Sequence, residues 1–600
     1  MTISRFGKMR SLAFIGYCTA LLLGALNDYV FRFLLVFYIS KLRGTEADPG
    51  VIAIAGVVFV VPFLCLTPMA GTLADKFSKS RLLQMLKGLE VVVMALGFTA
   101  FCLKSPLLLF TTMGLMAAQS ALFGPPKYSI LPELVPEAEL SRANAAVALC
   151  TYLAIIAASG LTPLILNLVS NNYALAQSAC VVIATIGLLA SLPMGRTKPA
   201  SSNRRASWLV VDDVWRTMRA LRGRNYLIGA ILGSAFFSLI GAFMQANVLS
   251  YGVTHLGLTQ EKSSYLFLIA AAGIGLGSWL AGRISGRLIE FGVVPLGALA
   301  MALSSILLGT APASQAAAMI LIALAGVGAG LFLIPLDAFI QRDAPAERRA
   351  EAVAAASFIG WLFVLLAQGL IAGNKAIGLT PAGGFFTLGV YTLILSIVAI
   401  KILPDFLTRF VVLVMTRLVC RIRVYGVENV PDSGGALIAS NHVSYFDAAI
   451  LIATQQRRLR FIMARQIFEK LWFFKPFFRI LNVIQISGDD PPRRLVASIK
   501  AARQAINDGF IVAIFPEGRI TRTGELQVFR SGMEKIIQNT NAPIIPVYLH
   551  GVWGLPTSFS KKRHYQWGRY PVSVSFGAPL PANTPPEEVR NAVISLAPPA

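Results

Sequence analysis

The sequence predicts an α-helical membrane protein of twelve transmembrane helices in two six-helix pseudo-repeats, followed by a cytoplasmic α/β domain. Two observations lead to this prediction. The 600 residues are 56% hydrophobic and 14% charged, with a mean hydropathy of +0.67, whereas soluble domains are about 25% charged. The long apolar stretches all lie before residue 404, and short β-like and helical runs alternate from residue 424 onward. This composition excludes a soluble enzyme and a disordered chain.

Twelve apolar stretches are long enough to cross a bilayer, whose hydrocarbon core of about 30 Å takes about 20 helical residues. The first stretch follows Arg5, Lys8 and Arg10 but is too long for a signal-peptide core and lacks a small-residue cleavage site. We therefore interpret it as a helix. The predicted spans lie near residues 11–39, 50–73, 82–103, 106–124, 144–168, 173–194, 225–250, 263–281, 292–311, 316–338, 352–373 and 383–403.

The loops between these stretches differ in charge, which predicts the orientation of the chain. If the N-terminus is cytoplasmic, the opposite loops carry five basic residues, and most of the others lie in cytoplasmic segments. The positive-inside rule favours this arrangement, with both termini and everything after residue 403 in the cytoplasm. The net charge of +24, without a basic run interleaved with aromatics, favours membrane lipids over nucleic acid as partners. The five residues are Lys41, Arg43, Lys104, Lys262 and Lys375.

An internal repeat supports the number of spans. The segment 71–76 (GTLADK) returns in degenerate form at 282–287 (GRISGR), an offset of 211 residues. Both copies lie at the cytoplasmic ends of matching spans, the second and the eighth. The basic loop 195–224 separates the halves, so we predict a duplicated six-helix unit. Pro126 and Pro136 also return, as Pro335 and Pro345, at an offset of 209 residues.

The segment that begins at Gly71 resembles the G-x-L-a-D-[RK] loop of the major facilitator superfamily. We expect Gly71 to permit close approach of two helices. We expect Asp75, near a helix terminus, and the basic residues Lys76 and Arg81 to form a gating motif that latches the cytoplasmic side. Residues 123–135 (FGPPKYSILPELV), Asn27-Asp28 and residues 344–349 (APAERR) resemble the lysophospholipid transporter branch. The resemblance covers about residues 10–403, and it implies that residues 1–403 form a lysophospholipid transporter domain.

Polar residues inside the spans are candidates for transport, because an ionisable group costs at least a few kcal/mol at the bilayer centre. Asp28 and Arg32 are four residues apart, so they could pair on one face of the first span. Asp28 could also contact the amine of an ethanolamine head group. Lys127, after two prolines, could contact the lipid phosphate or serve as a cytoplasmic anchor. Further cavity candidates are Gln245, Asn247 and Asp337.

The chain changes character after the last span. Residues 404–423 place four arginines among aliphatic side chains, which predicts an interfacial linker helix with basic groups at the lipid phosphates. Residues 424–600 then read as an α/β domain. The arginines are Arg409, Arg417, Arg421 and Arg423, and the clearest strands are Ala436–Ala439, Phe510–Phe515, Ile544–Leu549 and Val572–Phe576.

Two segments of this domain carry chemistry. His442 and Asp447 follow the first of these strands, where we expect a helix to start; a carboxylate at that spacing can hold one imidazole nitrogen while the other takes a proton. Glu517, Gly518 and Arg519 follow the second strand. The guanidinium fork of Arg519 matches phosphate oxygens, and Gly518 lets the backbone approach a ligand. Taken alone, each segment could also be an ordinary strand-end turn, and His550, at another strand end, could line the same site.

Together these segments resemble the glycerolipid acyltransferase family typified by 1-acylglycerol-3-phosphate acyltransferase. Phe529–Gly532, Ile544–Val547 and Phe576–Leu580 continue the resemblance, which covers about residues 424–580. It implies that His442, oriented by Asp447, is the general base that deprotonates the acceptor hydroxyl for attack on an acyl thioester. It also implies that Glu517, Gly518 and Arg519 lie in the phosphate-binding part of the acceptor site. No metal or redox cofactor is implied.

One region departs from the lysophosphatidate enzymes, which usually carry a phosphate-contacting arginine before the Glu-Gly motif. Here residues 484–494 (IQISGDDPPRR) place Arg493 and Arg494 late, after two acids. This segment and residues 518–526 resemble the 2-acylglycerophosphoethanolamine acyltransferases, which favours a phosphodiester lysolipid. The ligase domain that commonly accompanies that family finds no room before Ala600, so the resemblance implies a thioester supplied by a separate protein.

The sequence therefore predicts a bifunctional protein of the bacterial-type inner membrane. It would bring lysophospholipid, with lysophosphatidylethanolamine expected, to the cytoplasmic leaflet and re-acylate it from acyl-acyl-carrier-protein or acyl-coenzyme A. Two alternatives stay open. One is a lysophosphatidate acyltransferase of de novo synthesis fused to a lipid transporter, and the other is a drug or ion exporter with a degenerate regulatory tail.

Overall fold

The chain divides into two compact units, Met1–Ala399 and Ile400–Ala600. A computed structural model describes residues 11–42, 49–199, 210–285, 289–310, 314–402, 404–431, 433–455, 457–487, 490–561 and 568–598. Three residues used in the charge and repeat arguments lie outside these ranges: Arg43, Gly286 and Arg287.

The first unit is built from helices. Twelve helices in the described ranges are long and apolar enough to cross a membrane, which confirms the predicted number and positions. Two shorter helices, α5 and α8, lie between spans. The helices are α1 (Leu12–Leu42), α2 (Pro49–Lys76), α3 (Lys79–Cys102), α4 (Pro106–Ser129), α5 (Leu131–Leu134), α6 (Leu140–Leu168), α7 (Tyr173–Ser191), α8 (Val210–Ala220), α9 (Asn225–Thr254), α10 (Gln260–Ile284), α11 (Val293–Thr310), α12 (Gln315–Asp343), α13 (Arg349–Ala376) and α14 (Pro381–Ile402).

Matched glycines bring helices of the two halves together. Helix α2 packs against α13, and its repeat counterpart α10 packs against α6. A Cβ atom on Gly71 of α2 would lie 2.6 Å from the Ala354 Cβ, and one on Gly282 of α10 would lie 2.8 Å from the Ala145 Cβ. Both distances are too short for real atoms, so each contact requires glycine. The repeat seen in the sequence is therefore a repeat of helix contacts.

The second unit contains a seven-stranded sheet with helices on its faces. The strand order is β1-β7-β6-β2-β5-β3-β4. Neighbouring strands are parallel except β6 and β7, which are antiparallel. The elements are α15 (Pro404–Val419), β1 (Cys420–Tyr425), β2 (Ala436–Ser440), α16 (Asp447–Thr454), β3 (Leu459–Ala464), α17 (Arg465–Lys470), α18 (Lys475–Ile480), β4 (Ile484–Ile486), α19 (Pro492–Asn507), β5 (Ile511–Ile514), α20 (Gly532–Ile537), β6 (Ile544–His550), β7 (Tyr570–Phe576) and α21 (Pro586–Ser595).

The sheet places two predicted segments side by side. All four predicted strands are present, and β2 is buried along its whole length, as a central parallel strand requires. Because β2 pairs with β5 in parallel, the residues that follow them share one edge of the sheet. His442 follows β2 and Glu517 follows β5. The sequence interpretation missed β1, β3 and β4, which lie at the two sides of the sheet.

The predicted interfacial helix over 404–423 is wrong in two respects. The helix ends at Val419, and residues 420–425 form β1, which pairs with β7. The alternation of Cys420, Ile422 and Val424 with charged residues fits the two-residue period of a strand. Arg409 is buried, and its Nη1 donates to the Gln455 carbonyl at 3.2 Å, so it does not extend to lipid phosphates. Arg417 is exposed.

Candidate functional sites

His442 and Asp447 are in direct contact. The imidazole Nδ1 lies 2.8 Å from Asp447 Oδ2. His442 belongs to the loop after β2, and Asp447 is the first residue of α16, so only the second of the two lies at the expected helix start. The ring stacks on Phe515, with centroids 4.1 Å apart. Among the described residues His442 Nε2 has no hydrogen-bond partner, and the side chain is 21% exposed. That nitrogen is free to take a proton from a bound hydroxyl.

Asp447 is a fully buried carboxylate held by its own loop. Its Oδ2 accepts hydrogen bonds from the backbone N–H groups of Val443 at 2.7 Å and Ser444 at 3.0 Å, as well as facing His442. Burial raises the pKa of Asp447, and the imidazole and the two N–H groups oppose that effect. The position at the start of α16 adds the favourable field of a helix N-terminus. The arrangement fixes the imidazole orientation and can stabilise its cation.

Glu517 holds the loop that carries His442. Its Oε1 accepts from the backbone N–H of His442 at 2.7 Å, and its Oε2 accepts from that of Gln527 at 2.9 Å. The side chain is 2% exposed, and burial raises its pKa. Both carboxylate oxygens are thus occupied by backbone donors, so Glu517 supports the loop, and its place in the phosphate-binding part of the site stays a prediction.

We expect Glu517→Gln to loosen the loop that carries His442. The amide nitrogen cannot accept a hydrogen bond, so one buried N–H is left without a partner, which costs about 1–3 kcal/mol. Acyl transfer should fall and thermal unfolding should occur at lower temperature. Glu525 is an exposed carboxylate in the same segment. The matched control Glu525→Gln should change neither acyl transfer nor the unfolding temperature. Wild-type values for Glu517→Gln would contradict the structural role.

The Gly518–Arg519 turn lies next to Glu517. Gly518 has φ +74°, a left-handed conformation that favours glycine, and a Cβ there would lie 3.0 Å from the Arg530 guanidinium. Arg519 is exposed, and its Nε donates to Gln527 Oε1 at 3.0 Å. The turn conformation therefore favours glycine at 518, and the turn lies against Arg530, a residue that was not singled out as a candidate. Two exposed guanidinium groups, of Arg519 and Arg530, flank this turn.

A cavity of about 270 Å³ lies within the first unit. Its walls combine aromatic rings with charged groups from α1, α3 and α4. Asp28 Oδ2 accepts from Ser120 Oγ at 2.7 Å. Of the predicted transport residues, Asp28, Arg32 and Lys127 line the cavity; the other charged and aromatic residues lining it are Tyr29, Phe59, Phe63, Lys87, Glu90, Phe123, Tyr128 and Trp361.

A buried ion pair that was not among the candidates also lines this cavity. Lys87 Nζ lies 2.6 Å from Glu90 Oε2, and the two side chains are 2% and 3% exposed. Asn27 Nδ2 donates to Glu90 Oε1 at 3.1 Å, and the Lys87 ammonium lies 5.4 Å from the Phe123 ring centroid. Two charges three residues apart inside the apolar stretch 82–103 were the available signal in the sequence.

Arg32 and Lys127 have aromatic neighbours. The predicted Asp28–Arg32 pair does not form: Asp28 bonds Ser120, and the Arg32 guanidinium lies 5.5 Å from the Phe59 ring centroid. Lys127 Nζ donates to Thr151 Oγ1 at 3.4 Å and lies 4.9 Å from the Tyr128 ring centroid. The pair does not form because Arg32 contacts an aromatic ring on α2 and Asp28 accepts a hydrogen bond from a hydroxyl on α4.

The candidates of the seventh and tenth spans lie outside the lining of this cavity. Gln245 is exposed. Asn247 is buried, and its Nδ2 donates to the Pro381 carbonyl at 2.8 Å, which joins α9 to the start of α14. Asp337 Oδ1 accepts from Ser234 Oγ at 2.9 Å. None of the three is among the residues lining the cavity described here, two of them bond between helices of the second half, and their role in transport stays a prediction.

The proposed gating motif joins the halves, but with different partners from those expected. Asp75 Oδ1 and Oδ2 each accept at 3.0 Å from the backbone N–H groups of Ala350 and Glu351, at the start of α13. The charged neighbour that forms an ion pair is Lys79, which is buried and pairs with Glu133. Lys76 and Arg81 are exposed instead. A further contact between the halves is the reciprocal amide pair of Asn144 on α6 and Gln341 on α12, at 2.7 and 2.8 Å.

We expect Gly71→Leu to force α2 away from α13 and to weaken the Asp75 hydrogen bonds. A side chain there would overlap Ala354 and the Ala350 carbonyl, and overpacking of this kind costs about 1–3 kcal/mol. Transport should fall, and thermal unfolding should occur at lower temperature. Gly369→Leu, on α13 itself where a Cβ meets nothing within 4 Å, should change neither. Equal effects of the two variants would contradict the requirement for close approach at Gly71.

Two family models match the chain. The model described as Major Facilitator Superfamily matches residues 17–368, and the model described as Acyltransferase matches residues 421–550. Among curated proteins, the Lysophospholipid transporter LplT of Escherichia coli O157:H7 is 26% identical over 308 residues, which cover 50% of this chain and 73% of that protein. LplT of Yersinia pestis (strain Pestoides F) is 25% identical and is covered to 71%.

Solved structures show the same helical fold for the first unit. The human organic anion transporter MFSD10 has a TM-score of 0.54 at 13% identity, and the match covers 65% of this chain and 98% of that one. The transporter FucP, in an outward conformation, has a TM-score of 0.52 at 15% identity and covers 64% of this chain and 97% of that one. At these identities the likeness concerns the fold alone.

Proposed function

Because the chain belongs to the Major Facilitator Superfamily and also carries an acyltransferase domain, we propose that this multi-pass membrane protein transports a lysophospholipid and re-acylates it. The LplT proteins, which are named for lysophospholipid transport, match half of the chain. The single observation that carries the proposal is the presence of two different sites in one chain: a mixed-charge cavity in a helical bundle and a His-Asp pair at a sheet edge.

The cavity suits a lipid with a zwitterionic head group. Asp28 and Glu90 provide negative charge for an ethanolamine amine, while Lys87 and Lys127 provide positive charge for a phosphate. The rings of Phe59, Phe63, Phe123 and Trp361 provide apolar walls for the glycerol and acyl portions. Charges of both signs in one apolar bundle support a phosphodiester lysolipid such as lysophosphatidylethanolamine as the transported substrate.

In the acyl transfer, His442 Nε2 takes the proton from the free hydroxyl of the lysolipid. The hydroxyl oxygen then attacks the carbonyl carbon of the acyl thioester, and a C–O bond forms as the C–S bond breaks. The imidazolium returns its proton to the departing thiolate. Asp447 acts through His442, since it orients the ring and stabilises the cation. Because both activities would belong to one chain, delivered lysolipid would be available to the acylation site at a high effective concentration.

We infer the cellular arrangement from the charge distribution. The positive-inside rule places both termini and the acyltransferase unit in the cytoplasm of a bacterial-type inner membrane. Acyl-acyl-carrier-protein or acyl-coenzyme A, which are cytoplasmic thioesters, would then reach His442 directly. A separate acyl-carrier-protein ligase is the partner that this arrangement needs when free fatty acid is the source.

The test uses spheroplasts that lack their own lysophospholipid uptake and acylation systems. Labelled lysophosphatidylethanolamine is added outside, and the wild-type chain should convert it to diacyl lipid. If no label enters and membranes acylate lysophosphatidate instead, the chain is an enzyme of de novo synthesis. If no lysolipid is acylated under any condition, the exporter with a regulatory tail is favoured.

A further inference from the structure

A second cavity, of about 540 Å³, lies in the acyltransferase unit and has no role in the mechanism above. Three arginines line it, Arg421, Arg423 and Arg569, together with the aromatic residues Tyr425, Tyr548 and Trp553. None of the described residues lining this cavity is an aspartate or a glutamate. A cavity with guanidinium groups and without carboxylates is suited to an anion.

The register of three strands explains why basic side chains lie together in this cavity. Residues 421 and 423 of β1 lie beside Pro571 and Ser573 of β7, and Ser573 lies opposite His550 of β6. Because side chains alternate along a strand, Arg421 and Arg423 share one face, with Cα atoms roughly 6–7 Å apart. The intervening Ile422 packs toward the core on the other face. The sheet thus presents two guanidinium groups and an imidazole on one surface.

This basic cavity reaches the loop that carries the catalytic base. Asn441 and Val443, the two neighbours of His442, both line it. Asn441 is held in place by β6: its Nδ2 donates to the Leu549 carbonyl at 3.0 Å, and its Oδ1 accepts from the Leu549 N–H at 2.7 Å. Arg519, which was expected to bind phosphate, is not among the residues lining this cavity. A ligand in the cavity would therefore lie beside the loop that carries His442, although the His442 side chain is not among the residues lining the cavity.

We propose that this cavity binds the phosphate ester group of one of the two substrates of acyl transfer. The proposal rests on the proposed function, and it names the binding site for a group that both substrates carry. The phosphodiester belongs to the lysolipid acceptor, or the phosphate belongs to the pantetheine arm of the acyl donor. The planar fork of arginine matches phosphate oxygens in pairs, which a lysine cannot reproduce.

The test replaces both strand arginines, as Arg421→Gln with Arg423→Gln, in the full chain. The matched control is Arg479→Gln with Lys500→Gln, which removes two exposed cations of α18 and α19 and changes the net charge equally. We expect the first variant to raise KM about tenfold or more for one substrate, with kcat within about twofold of wild type. The control should change neither constant. The substrate whose KM rises identifies the source of the phosphate, and unchanged KM values for both substrates overturn the proposal.

A binding measurement separates this proposal from the proposed function. Glycerophosphoethanolamine and desulfo-coenzyme A are unreactive probes of the acceptor and the donor, and calorimetry follows their binding to the full chain in detergent. Binding of one probe that is lost in the Arg421/Arg423 variant and kept in the control supports the site even where no acyl transfer is detected. Equal binding by wild type and variant, or binding of neither probe, overturns it. Arg421→Lys with Arg423→Lys keeps the charge and should recover binding only in part.

Discussion

Replacing His442 with alanine should lower acyl transfer by about 10²–10⁴-fold and leave lysophospholipid uptake unchanged. The imidazole is the group that would remove the hydroxyl proton, and among the described residues no other side chain bonds the Asp447 carboxylate. Uptake should persist because the mixed-charge cavity is formed entirely by residues of the first unit.

The measurement follows labelled lysophosphatidylethanolamine in spheroplasts that carry wild type or His442→Ala. Wild type should accumulate diacyl lipid, and the variant should accumulate internal lysolipid. Asp447→Asn tests the charge of the carboxylate separately from its hydrogen bonds. The asparagine carbonyl oxygen can still accept from Val443 and Ser444, but the amide has no charge to stabilise the imidazolium. This variant should fold normally and lose most of the activity. Equal loss of uptake and acylation in His442→Ala would contradict two separable sites.

Replacing Lys87 with methionine should stop lysophospholipid uptake and destabilise the first unit. The substitution leaves Glu90 buried without its cation, and an uncompensated buried charge costs about 3–5 kcal/mol. Thermal unfolding of the purified protein should occur at a lower temperature, and uptake into spheroplasts should fall to background. Acylation of lysolipid supplied directly to detergent-solubilised protein should remain.

A second variant separates the structural part of this effect from the transport part. Lys87→Met combined with Glu90→Gln removes both charges, and replacing a whole buried pair is often neutral for stability. Asn27 Nδ2 still has an amide oxygen to which it can donate. We expect thermal stability to return toward that of wild type while uptake stays at background. Recovery of uptake in the double variant would show that the pair serves stability alone.

Local patterns in the sequence determined the architecture. Twelve apolar stretches were recognisable because spanning a bilayer demands about 20 apolar residues in a row, whatever the neighbours are. The buried strands around 436–439, 511–514 and 544–549 were recognisable for a similar reason, since central parallel strands are continuously apolar. The His442–Asp447 contact was predictable because the two residues are only five positions apart in the sequence.

Contacts between distant residues decided the details of the sites, and only the tertiary structure supplies them. Glu517 reaches the backbone of His442 across 75 positions, and Asp75 reaches Ala350 across 275. Neither partner can be read from spacing, because the sheet order and the helix packing bring them together. The same holds for Arg421 and Arg423. Within a predicted helix they were expected to reach lipid phosphates, but pairing of β1 with β7 places them in a basic cavity beside the loop that carries His442.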